Sequence, residues 1–104
     1  MRLISLFVTA GCALLAAAPS GGQQSDSNAG RSLAATCANC HGTNGVSVGE
    51  VASLAGRPKD ELVRKMQDFK AGRAPGTIMP QLAKGFTDEQ IDVIGAWFAT
   101  QPAK

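Results

Sequence analysis

An all-α fold, with three main helices and long loops, is predicted for this chain by three features of its sequence. Apolar residues recur at helical spacing in two stretches, Leu62, Met66 and Phe69 and then Ile91, Ile94 and Phe98. That is the period of one helix face turned toward a core. No run alternates apolar and polar residues as a half-buried strand does, and no internal repeat is present. The third feature is Cys37-Ala38-Asn39-Cys40-His41, the C-x-x-C-H attachment sequence of c-type haem. One haem held there covalently gives a small chain a large apolar surface to fold around.

The chain opens with Met1 and Arg2 and then an apolar run from Leu3 through Ala18 that lapses into Pro19, Ser20, Gly21 and Gly22. This pattern reads as an export signal over residues 1–22. The run is too short for a membrane span, which needs about 20 apolar residues, so membrane insertion is not expected. Ala10-Gly11-Cys12 looks like part of a lipidation site, but Thr9 stands where an aliphatic residue is usual and the apolar run continues past Cys12. Cys12 is therefore read as filler of the signal. Removal leaves 82 residues from Gln23 onward, with nine basic and eight acidic side chains and a formal charge of +1. Such a segment makes one small domain with a thin core. Its charge balance predicts no nucleic-acid partner.

Residues 23–28 are polar and low in complexity, and are expected to form a flexible arm. A cap at Asp26 to Asn28 then opens the first helix of a domain over 29–104, with Ala29, Leu33 and Ala34 on one face and the attachment sequence at its end. Gly42, Gly45, Gly49 and Gly56 break any periodicity, so this stretch reads as loop. Its spacing matches no phosphate-binding loop. Pro58, near the first helical position, and Asp60 and Glu61 behind it start the second helix, which Gly72 ends. Arg73 to Gly85 reads as a second loop. Thr87-Asp88-Glu89-Gln90 is a capping box opening the third helix, and Pro102 follows its end.

The chemistry of Cys37, Cys40 and His41 is narrowed by counting. The whole chain holds three Cys and one His, too few for a four-ligand structural zinc site once Cys12 is removed. A disulfide between Cys37 and Cys40 would close a very small loop and stabilise little. A redox dithiol would sit after a strand in a βαβ unit, which is absent from this pattern. Haem attachment remains, with both thiols forming thioethers and His41 as an axial ligand whose second ring nitrogen donates to a backbone carbonyl. The opposite axial position decides between electron transfer and ligand chemistry. Met66 lies on a helix stripe and reads as core. Met79 precedes Pro80, whose ring drives the residue before it toward an extended conformation, so Met79 is the expected second ligand. His41 and Met79 together make a saturated, low-spin iron suited to one-electron transfer and not to catalysis.

These motifs resemble the class I c-type cytochromes over nearly the whole of the segment after the signal. The resemblance runs through Cys37 to Gly42, Leu54-Ala55-Gly56, Phe69-Lys70-Ala71-Gly72, Thr77-Ile78-Met79-Pro80 and Ala96-Trp97-Phe98. Within the class, Thr77-Ile78-Met79 with Ala83-Lys84-Gly85-Phe86 is most similar to the haem subunits of flavocytochrome c sulfide dehydrogenases. The resemblance implies that the first and last helices cross, with Ala29 and Leu33 against Ile94 and Trp97. It implies an exposed haem edge near Cys37 and the Met79 loop, and a periplasmic location. It also implies an FAD-containing sulfide-oxidising flavoprotein as electron donor and a downstream cytochrome or oxidase as acceptor. One departure stands out: Ala52 occupies the position where relatives usually have a proline whose carbonyl accepts the imidazole proton. A free diffusible periplasmic carrier is the alternative to a docked subunit, and an enzyme with an open iron site or free thiols is a third class. The segments Gly42 to Gly49 and Gly76 to Leu82 carry no charge, which favours a docked partner over an electrostatically steered carrier.

Overall fold

The last helix is the one the sequence specifies most completely. Helix α5 spans Asp88–Ala99 in the computed structural model, which describes residues 22–104. The Thr87 hydroxyl accepts from the Gln90 N–H at 3.1 Å, and the Gln90 side chain accepts from the Thr87 N–H at 2.9 Å. Two otherwise unpaired donors of the first turn are thereby satisfied. Ile91, Ile94 and Phe98 are buried along one face, and Trp97 meets Phe98 edge to face at 5.0 Å between ring centroids. The other helices are α1, Gly22–Ala34, α2, Ala38–His41, α3, Lys59–Lys70, and α4, Met79–Ala83. No strand occurs among the described residues. The expected export signal, apart from Gly22, lies outside them, and so does Cys12.

Helix α1 packs against α5, but two details differ from expectation. It begins at Gly22 and takes in residues 23–28, in place of the flexible arm and the cap at Asp26 to Asn28. Nothing in that polar stretch breaks a helix, its glutamines favour one, and the docked turns beyond it let the helix propagate backward. Ala29 is exposed, and the residue at the crossing is Gly30. A Cβ there would stand 3.0 Å from the Cβ of Trp97 and 3.3 Å from the Val93 carbonyl oxygen. Leu33 and Ala34 reach the core as expected, and Gly30 shares their stripe at spacings of three and four, whereas Ala29 is one step off it.

Helix α3 follows Pro58 and carries Asp60 and Glu61 in its first turn. Leu62 is buried with Ala34, Ile94 and Phe98 in one cluster, flanked by Leu33, Leu54, Phe86 and Trp97. The helix stops before Gly72, whose φ is 75°. Two ion pairs of 2.9 Å, Lys59 to Asp92 and Lys70 to Asp88, join α3 to α5 at opposite ends. The stretch 73–85, expected to be loop throughout, contains helix α4. Met79 is its first residue and Pro80 its second, where a missing N–H costs the helix nothing.

Filling the crossing should be costly. Gly30→Val is expected to lower stability by about 1–3 kcal/mol through overpacking against Trp97, read as a lower denaturant midpoint. A second expectation concerns pH. Hydrogen bonds from Lys70 and Gln67 and the Lys70 charge hold the Asp88 carboxyl below its ordinary value. A lowered folded-state value adds stability above the unfolded value, and that stability is lost as pH falls through the folded one. Lys70→Gln should therefore lower stability at neutral pH and flatten this part of the loss on acidification below about pH 4, measured by chemical denaturation at several pH values.

Candidate haem-attachment site

Nothing in Ala35-Thr36-Cys37 breaks the helix, so the chain leaves α1 through one 3-10 turn, Ala35–Cys37, and continues directly into α2. Cys37 faces inward and is half-buried, Cys40 is exposed, and both are free thiols. Burial pushes the Cys37 thiol above its ordinary value, against weaker hydrogen bonding from Thr36 and its own backbone. His41 closes α2, and Gly42 turns the chain away with φ 84° and ψ 161°. A Cβ on Gly42 would lie 1.9 Å from the Val46 carbonyl oxygen. Only glycine fits that turn.

The loop after Gly42 folds back on itself. The Gly45 carbonyl accepts from the N–H groups of Leu54 and Ala55 at 2.7 and 3.1 Å, and the Ser47 N–H donates to the Ser53 hydroxyl at 2.9 Å. The Gly56 N–H donates to the Phe98 carbonyl at 3.0 Å, which anchors the loop to α5. Held in this way, the Ala52 carbonyl lies 2.6 Å from His41 Nδ1. A carbonyl can only accept, so the proton is on Nδ1 and the lone pair of the ring is on Nε2. The departure at Ala52 leaves the contact in place, because the acceptor belongs to the backbone.

Cys37, Cys40, His41 and Met79, the four residues singled out in the sequence, all line one cavity of about 970 Å³. Its walls include Leu54, Leu62, Phe69, Phe86, Ile94 and Phe98. One correction follows, for Met79, and one addition, for Met66. Met79 reaches the cavity from the head of a short helix and not from an extended loop. Met66, read as core, lines the same cavity. The signal for Met66 was present in its stripe, since Leu62 and Phe69 are cavity walls too. Arg57, Arg64 and Lys65 also line the cavity, and the sequence pattern assigned them no role.

Two thiols three residues apart, an imidazole with Nε2 free, and a largely apolar chamber fit a c-type haem, whose ring is flat and apolar and whose iron takes nitrogen and sulfur donors. No family model matches the chain. The cytochrome subunit of sulfide dehydrogenase from Chlorobaculum tepidum is 36% identical, over 72% of this chain and 68% of its own length. The chain belongs to the class I c-type cytochromes. Cytochrome c4 of Azotobacter vinelandii is 33% identical over 95% of this chain, which spans 50% of that protein. The solved structure of thiosulfate dehydrogenase (TsdBA) from Marichromatium purpuratum superimposes with a TM-score of 0.69 and 33% identity, over 85% of this chain and 21% of its own.

As a c-type cytochrome the chain carries covalently bound haem c, and Cys37 and Cys40 have the spacing for its attachment. It is an electron-transfer protein, not itself a catalyst. No helix among the described residues is long and apolar enough to cross a membrane.

The turn at Gly42 offers a direct check on how the site is built. Gly42→Ala forces a side chain into a left-handed position against the Val46 carbonyl, at a cost of roughly 1–3 kcal/mol or more. The measurement is equilibrium unfolding of the haem-loaded protein, where a lower denaturant midpoint is expected.

Proposed function

We propose that this cytochrome transfers single electrons in the periplasm, with His41 and Met79 as axial ligands of a haem attached through Cys37 and Cys40. We propose further that it is the haem subunit of a complex whose FAD flavoprotein oxidises sulfide. The observation that carries the ligation is the hydrogen bond of His41 Nδ1 to Ala52, which fixes the ring and leaves Nε2 to bind iron. Met79 is favoured as the second ligand because it heads a short helix of its own, beside the exposed Ile78 and Leu82. Met66 sits in the middle of α3 between Leu62 and Phe69, where a flexible thioether serves as packing. When bound, the haem supplies reversible uptake of one electron at its iron, and a thioether opposite an imidazole raises the potential. Were His41 and Met79 both to hold the iron, no position would be left there for a substrate.

The partner reading is supported by similarity to a protein named as the cytochrome subunit of sulfide dehydrogenase, and by the surface. The segments 42–49 and 76–82 are uncharged, and Val48, Val51, Ile78 and Leu82 are exposed. Uncharged apolar segments on this part of the rim are suited to a stable, dried contact more than to brief encounters, the charges of the rim lying on α3 and at its head. From this subunit electrons pass to a downstream cytochrome or oxidase.

Met79→Ala is expected to abolish the sulfur-to-iron charge-transfer band and open the iron to carbon monoxide. Met66→Leu, which conserves volume, should keep the band and cost less than roughly 1.5 kcal/mol. The reverse pattern would exchange the two roles. For the partner, Val48→Glu and Gln81→Glu should weaken co-purification with an FAD protein and slow flavin-to-haem transfer, with the spectrum of the isolated cytochrome unchanged. A native protein that migrates as a lone monomer, without flavin and unreduced by sulfide, would instead be a diffusible carrier.

A further inference from the structure

The charged side chains lining the cavity, His41 aside, all come from one wall. They are Arg57, Glu61, Arg64, Lys65 and Asp68, on α3 and at its head. Their partners divide them. Glu61 is paired with Arg57 at 3.2 Å, and Asp68 with Arg73 at 2.9 Å, so both acids of the wall are offset. Arg64 and Lys65 enter no ion pair among the described residues. The Lys65 ammonium is held over the Phe69 ring, 5.5 Å from its centroid, with its stem along an apolar wall. Two cations thus border an apolar chamber without an acid to balance them.

Haem brings the missing charge. Its two carboxylates stand on the pyrrole rings that lack vinyl groups, and the vinyl-bearing rings are those joined to Cys37 and Cys40. A carboxylate laid against apolar walls is costly unless paired, and a guanidinium receives it best, through two parallel N–H bonds. We infer that Arg64, with Lys65 beside it, receives the haem carboxylates. The ring is then held at two places, by thioethers on one side and by the cationic wall of α3 on another. This assignment rests on attachment through Cys37 and Cys40.

The test uses the haem-loaded protein and two readouts, the carboxylate-bending bands of the haem in resonance Raman spectra and the midpoint potential. Arg64→Gln, Arg64→Lys and Lys65→Gln are compared with Lys84→Gln, an exposed cation that does not line the cavity. Glutamine and lysine keep helix propensity close to that of arginine, so the fold should persist. Arg64→Gln should shift the carboxylate band and lower the potential, because removing a positive charge beside the haem favours the ferric state. Arg64→Lys should restore most of the potential but not the band, since it keeps the charge and loses the fork. Lys65→Gln should lower the potential less, and Lys84→Gln should change neither readout. An unmoved carboxylate band in Arg64→Gln, with a potential change no larger than that of Lys84→Gln, overturns the assignment while leaving haem attachment standing. A chain isolated without covalent haem overturns both.

Discussion

The same side chains must serve this protein as core and as cavity wall. Leu62, Ile94 and Phe98 form the buried cluster with Ala34, and all three also line the chamber. A chain of this length has too little apolar surface to build a separate core and then a binding site on top of it. Each apolar wall that meets the ring of the haem removes further surface from water, at about 25 cal/mol per Å². A haem seated there would be part of the hydrophobic core, and would help set the positions of α3 and α5.

The polar contacts that hold the loop between Gly42 and Gly56 come mostly from backbone. The Gly45 carbonyl receives Leu54 and Ala55, the Phe98 carbonyl receives Gly56, and the Ala52 carbonyl receives His41. Side-chain identity matters little where the acceptor is a peptide group. That is why alanine at residue 52 suffices as acceptor: the turn at Gly42 and the Ser47 to Ser53 hydrogen bond hold the stretch of backbone that carries its carbonyl.

What could be read in the sequence was what depends on near neighbours. The capping box at Thr87, the α5 stripe and the C-x-x-C-H spacing are local patterns, and each is found where expected. The start of α1 was hidden because a polar run without a breaker is decided by docking further along the chain. Helix α4 was hidden because Pro80 reads equally as an extended turn or as an early helical position. Met66 illustrates a different limit. Periodicity reports that a helix face is covered, not whether protein or cofactor covers it. The contact of Gly30 in place of Ala29 is a matter of one step of about 100° around the helix, finer than a pattern of small residues can resolve.

The crossing of α1 with α5 brings together the two ends of the described residues. The entropy of closing so long a loop grows only slowly with its length, and the close packing of Gly30 on Trp97 works against it. Cys37 follows α1 immediately and packs against the cluster that holds Ile94 and Phe98 of α5. The burial of one sulfur thus depends on a helix more than fifty residues further along the chain, and a loosened C-terminal helix would uncover it.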